Sequence, residues 1–145
     1  MKTLTQEQIK AIAEQIDSGF RIYWNKNDGE LLYIPDPDEQ PEYDMDDWSD
    51  DVEKLAANET DYLEIEHMRS RDSFKIMASF IETLADTEML KVRLREALAK
   101  RKPFSEFKYV IDTSGAYRQK WFDHKTAYQE KWVIDRFNEA IDEEE

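Results

Sequence analysis

The sequence predicts an α+β fold, a small three-stranded antiparallel sheet with a mainly helical C-terminal half. Three observations carry this. Two strand-like runs, 20–24 and 30–34, flank Asn27-Asp28-Gly29; a third alternating run lies at 62–66; and from Asp72 onward apolar residues recur at helical spacing. With 40% hydrophobic and 12% aromatic residues, the 145-residue chain can bury a core although 37% of it is charged. One domain is expected over 1–145, with helix, hairpin, acidic segment and third strand in 5–66, helices in 72–141 and an acidic tail at 142–145.

The first helix is expected over 5–17, because Ile9, Ile12, Ala13 and Ile16 share a face and Thr5 with Gln8 makes a capping-box pattern. Gly19 ends it. In the hairpin, pairing Ile22 with Ile34 and Trp24 with Leu32 puts all four on one face and leaves a three-residue loop with Gly29 in the left-handed position. Pro35, Pro37 and Pro41 then predict an extended loop, and Trp48, Val52, Leu55 and Ala56 a short helix. In the third strand Leu63 and Ile65 point inward. Asp72 is the expected cap of a helix carrying Phe74, Met77, Ala78, Ile81 and Leu84, and Thr87 of one carrying Leu90, Leu94, Ala97 and Leu98. Pro103 opens a helix with Phe104, Phe107, Val110 and Ile111. Gly115 closes it, and a long last helix is expected over 116–141.

Charge is uneven along the chain. The net value is −14, from 34 Asp and Glu against 20 Lys and Arg. Residues 35–61 hold twelve carboxylates against Lys54 alone, a net of −11, whereas 91–108 hold seven cations against Glu96 and Glu106, a net of +5. Overall acidity disfavours nucleic acid and anionic membranes as partners of the whole chain. The acidic stretch invites a calcium reading, but in 36–47 Pro41 stands in the glycine slot of an EF-hand loop and Asp47 where its glutamate belongs. No metal or cofactor is expected. The bland reading of the basic stretch makes Phe104 and Phe107 core and pairs the cations with the acidic segment.

Catalytic patterns are scarce. There is no cysteine, no phosphate-binding glycine loop, and neither His67 nor His124 has a sequence neighbour that would make a dyad. An enzyme is not favoured. No segment approaches a membrane span or a signal-peptide core, so a soluble cytoplasmic protein is expected.

The features from Phe80 through Asp86, then Leu94-Arg95-Glu96-Ala97-Leu98, then Phe104-x-x-Phe107-Lys108, then Trp121-Phe122 and Trp132 resemble Uncharacterised Protein Family 0158 in their order. The resemblance covers roughly 62–132, with Lys102 and Pro103 in place of the usual small pair before Phe104. It implies a bacterial soluble protein without an assigned activity and supplies no catalytic residue.

The function expected from these readings is non-enzymatic protein–protein interaction or regulation. Asp36, Asp38, Glu39, Asp46, Asp47, Asp50 and Asp51 are the candidates for binding by charge. Tyr117, Trp121, Tyr128 and Trp132, close together on one face of the last helix, are the candidates for aromatic anchoring or for a homodimer contact. The alternative is RNA or single-stranded nucleic-acid binding through Arg95, Lys100, Arg101, Lys102 and Lys108.

Overall fold

In a computed structural model, which describes residues 3–144, the chain folds as α+β and divides into two compact units, residues 1–69 with 129–145, and residues 70–128. The first unit opens with α1 (Gln6–Gln15). Its capping box forms as the sequence predicts: the Gln8 N–H donates to Thr5 Oγ1 at 3.1 Å and the Thr5 N–H to Gln8 Oε1 at 3.2 Å. Ile9, Ile12 and Ala13 are buried on its inner face.

The sheet comprises β1 (Phe20–Asn25), β2 (Leu31–Pro35) and β3 (Tyr62–Ile65) in the order β2-β1-β3, all antiparallel. The hairpin register corrects the expected one. Ile22 lies opposite Tyr33 and Trp24 opposite Leu31, one residue away from the pairing that hydrophobicity suggested. A four-residue loop makes the slip: the Asn25 N–H donates to the Glu30 carbonyl at 2.8 Å and the Gly29 N–H to the Asn25 carbonyl at 2.9 Å. Asn25 Oδ1 also accepts from the Asn27 and Asp28 N–H groups, a side-chain turn that favours the longer loop.

A one-residue slip turns a strand over. Ile22, Trp24, Leu63 and Ile65 therefore share one face, while Leu32 and Ile34 share the other with Tyr23 and Glu64. The expected register assumed one apolar face, but both are covered. Trp24 meets Phe137 edge-on at 4.9 Å on the first face, whereas Val52, Leu55 and Ala56 of α2 (Ser49–Ala57) line a depression with Tyr23 and Tyr62 on the second. Of the expected helix face, Val52, at 40%, and Ala56 are exposed, and only Trp48 and Leu55 are half-buried.

The second unit holds α3 (Ser70–Glu82), α4 (Met89–Leu98) and α5 (Pro103–Asp112). There also begins α6 (Tyr117–Glu144), whose later residues belong to the first unit. Phe80, Ile81, Leu94, Phe107 and Ile111 form the core of the second unit, with Trp121 packed against it. Each such side chain contributes about 1.5–3 kcal/mol when fully buried. Two expected caps move: Asp72 lies within the first turn of α3, and α4 starts after Glu88 rather than Thr87. Phe104, expected in the core, is 44% exposed. Phe104 shares a helix face with Phe107 and Ile111, but it stands in the first turn of α5, outside the buried cluster those residues join.

Candidate functional site

Asp36 organises the start of the acidic segment. Its N–H donates to the Gly19 carbonyl at 3.0 Å, its carbonyl accepts from Glu39 and Gln40, and its Oδ1 accepts the Asp38 N–H at 3.0 Å. This is an Asx turn following Pro35. The Gln40 amide donates to the Ser18 carbonyl, and Phe20, Tyr43 and Trp48 pack ring to ring, so the segment is tied back onto its own unit.

The Asp36 side chain is buried at 2% exposure, which corrects its expected role as a surface contact for a partner. Arg21 Nη2 lies 3.4 Å from Oδ1, and Nε2 of the equally buried His67 lies 3.6 Å from Oδ2, beyond hydrogen-bond reach. His67 Nε2 has no hydrogen-bond partner among the described residues. Burial alone would raise the Asp36 pKa, but the Asp38 N–H and the positive charges of Arg21 and Arg69, with His67, outweigh it and hold the carboxyl below its usual range.

Around this anchor lies a cleft of about 720 Å³ beside β3, an edge strand of the sheet. Its carboxylates come from distant parts of the chain: Asp38 after β2, Glu64 and Glu66 at β3, and Glu143 and Glu144 at the end of α6. Counting Asp36, six carboxylates face two guanidinium groups, those of Arg21 and Arg69. Tyr23 and Tyr62 supply ring surface, and burial followed by the Glu64 charge pushes the Tyr23 phenol upward, so it is neutral at physiological pH. Lys26 secures the far rim, donating to Glu144 at 2.8 Å. The same polarity holds for the units as wholes. Residues 1–69 with 129–145 carry 26 Asp and Glu against 8 Lys and Arg, a net of −18, while 70–128 carry 12 Lys and Arg against 8 Asp and Glu, a net of +4.

The other expected charge contacts are spread out. Asp38 reaches the cleft; Glu39 pairs with Arg69 at 3.0 Å; Asp46 and Asp47 are exposed in a short 3-10 turn capped by Asp44, and Asp50 with half-buried Asp51 occupies the first turn of α2. Carboxylates at helix starts favour the local dipole, which explains this run without a ligand. Glu64, Glu66, Glu143 and Glu144 were missed. The outward alternation of Glu64 and Glu66 was visible, but nothing local joined them to the tail.

Neither Trp121 nor Trp132 is fully buried, yet both are engaged. Trp121 meets Phe107 at 4.8 Å and Phe80 at 5.5 Å, and Trp132 donates its indole N–H to the Glu66 carbonyl at 2.8 Å beneath the Arg136 guanidinium. Tyr117 and Tyr128 are half-buried.

In the second unit the cations have local partners rather than the acidic segment: Lys91 with Asp86, Arg95 with Glu82, and Lys100 with Glu106. Arg101, Lys102 and Lys108 are exposed, and beside them so are Phe104 and, at 67%, Tyr109.

Among the described residues no three or more His, Asp or Glu side chains are grouped to hold a metal ion, and no helix is long and apolar enough to cross a membrane. Fold and cleft together define an acidic α+β protein with a carboxylate-lined cleft at a sheet edge. The chain belongs to the Uncharacterised protein family (UPF0158), whose model matches residues 2–142. No curated protein and no solved structure gives a significant match.

Proposed function

We propose that the protein is an interaction module that docks a Lys- and Arg-rich segment of another protein in the cleft beside β3. One observation carries the reading: Asp38, Glu64, Glu66, Glu143 and Glu144 converge on one cleft from three separate stretches of sequence. Tyr23 and Tyr62 add flat surface for the aliphatic stems of the bound cations. The complementary charges speed encounter and make affinity salt-dependent. The absence of cysteine from the chain fits cytoplasmic residence.

The test is titration of a short Lys/Arg-rich peptide into the full-length protein at low and high salt. Binding that weakens steeply with salt, and at least about tenfold on combining Glu64→Gln, Glu66→Gln and Glu143→Gln, is expected. Affinity unchanged by salt or by these substitutions overturns the reading.

A second reading, single-stranded nucleic-acid binding, is favoured by the exposure of Phe104 and Tyr109 beside Lys108, Arg101 and Lys102. Stacking on such rings contributes about 1–3 kcal/mol per base. Retention of oligouridylate by the full-length protein, lost in Phe104→Ala with Tyr109→Ala, is its expected result. No retention at low salt rejects it.

A further inference from the structure

β3 is paired on one side only, and the hydrogen bonding of the sheet fixes which of its backbone groups are left over. The Lys26 N–H donates to the Asp61 carbonyl at 2.7 Å, and the register that continues from that pair sets Trp24 opposite Leu63 and Ile22 opposite Ile65. In an antiparallel ladder such bonded pairs fall at every second residue, and each residue aims its N–H and carbonyl to the same side. Leu63 and Ile65 therefore bond β1, whereas Tyr62, Glu64 and Glu66 direct their backbone groups away from the sheet. The β1–β2 ladder has the matching phase, since its flanking bonds join Asn25 to Glu30 and Asp36 to Gly19, the alternate residues of that side.

Two of the outward groups are occupied. The Tyr62 N–H donates to the Glu59 carbonyl, and the Glu66 carbonyl accepts the Trp132 indole N–H at 2.8 Å. The Tyr62 carbonyl, both Glu64 groups and the Glu66 N–H have no hydrogen-bond partner among the described residues. The acidic cleft reaches this row. Leu63 and Glu64 point to opposite faces of the sheet, yet both line the cleft together with Ala140 of α6, so it wraps the edge of β3 rather than lying over one face. The other edge of the sheet is blunted by Pro35, which has no N–H to offer.

Charges on an edge strand keep unsuitable strands away. Glu64 and Glu66 are exposed and lie on the same face as Tyr23, and a strand laid alongside would set a residue directly opposite each, with Cβ atoms about 4.5–5.5 Å apart. Like charges at that distance repel and opposite charges pair, so this edge rejects acidic strands and selects basic ones.

We infer that the basic segment docks as a fourth, antiparallel strand on β3, with Lys or Arg at alternate positions opposite Glu66 and Glu64. The residue opposite Glu64 exchanges both backbone bonds with it. The residue opposite Glu66 accepts the Glu66 N–H, and the residue opposite Tyr62 donates to the Tyr62 carbonyl. The antiparallel direction continues the pairing of the whole sheet and is slightly the more stable per residue. Strand addition rests on the docking proposed above and specifies it: the partner is extended, with a cation at every second residue, rather than any cluster of cations.

The experiment titrates three capped peptides of equal charge into the full-length protein at low salt, followed by nitrogen-15 NMR. They are Lys-Thr-Lys-Thr-Lys, the same peptide N-methylated at its second and third lysines, and the same peptide N-methylated at its two threonines. In the docked strand the lysine N–H groups face β3 and the threonine N–H groups face away. The parent and the threonine-methylated peptide are expected to bind alike, and the lysine-methylated peptide at least about tenfold more weakly. Hydrogen exchange at the Glu64 N–H should slow by at least about tenfold in the parent complex. Equal binding by all three peptides, loss of binding on threonine methylation, or unchanged exchange at Glu64 overturns strand addition and leaves docking by charge intact. Binding by none of the three overturns both.

Discussion

Asp36 Oδ2 and His67 Nε2 stand 3.6 Å apart, with both side chains almost entirely withdrawn from solvent. The gap is too long for a hydrogen bond. The carboxylate is instead held by the Asp38 N–H and by Arg21, and its burial makes it an anchor for everything between β2 and α2.

Removing that anchor should be costly. Taking one partner from a buried charge pair destabilises by about 3–5 kcal/mol, although the 43% exposure of Arg21 places Asp36→Ala toward the lower end, about 3 kcal/mol. Asp36→Asn, which can still accept the Asp38 N–H, should cost about 1–3 kcal/mol. Urea unfolding at constant slope measures both. An Asp36→Ala protein as stable as the parent contradicts the anchoring role.

The acid limb of the stability curve should follow from the same group. Its folded pKa lies below its unfolded value, so its stabilisation is complete above the unfolded carboxylate pKa of about 3.9 and is lost as pH falls through the folded pKa. Stability therefore rises with pH across this window. In Asp36→Asn the rise should be shallower than in the parent, as read by melting temperature from pH 2 to 5 (about one unfolded carboxylate range either side).

Two glycines provide a matched comparison. Gly29 has φ +77° and Gly115 has φ +68°, so alanine is strained at both, by about 1–2 kcal/mol. At Gly29 an added Cβ would also stand 3.4 Å from Gln8 Nε2, the group that donates to the Gly29 carbonyl at 2.7 Å, whereas at Gly115 nothing lies within 4 Å. Gly29→Ala should lower the melting temperature more than Gly115→Ala. Equal losses would mean that the contact between α1 and the hairpin loop contributes nothing.

Lys91 closes the α3–α4 corner. Its buried ammonium donates to the Leu84 carbonyl at 3.0 Å and to Asp86 at 2.8 Å. Lys91→Ala leaves that carbonyl unmatched and a void beside it, and should cost about 2 kcal/mol. Lys91→Met fills the void and should cost less. Arg101→Ala, on the surface, should change stability by less than about 0.5 kcal/mol. Chemical denaturation of the three variants checks the order.

Much of the fold was legible because its signals are local. The capping box of Thr5 and Gln8, the three strands, Pro103 at the start of α5 and the positive φ at Gly29 each depend on residues within a few positions. The register was not. Hydrophobicity paired Ile22 with Ile34 on the premise of one buried face, whereas the side-chain turn made by Asn25 favours the longer loop, and Leu32 and Ile34 are buried on the face opposite Ile22 and Trp24. The candidate site was legible only in part. Asp38, named as a candidate charge contact, lines the cleft, while Asp36 was chosen as a surface charge and proved to be buried.

By itself the sequence determined the α+β class, the order of elements and the family, because periodicity and caps are properties of short windows. It also determined that charge would be uneven. Only the tertiary structure decided where that charge acts. The return of α6 sets Glu143 and Glu144 beside Glu64 and Glu66, and the Asx turn at Asp36 draws one carboxylate of the acidic run out of water. Both are contacts between residues far apart in the chain or hidden on folding, and no local pattern of hydrophobicity or charge encodes them.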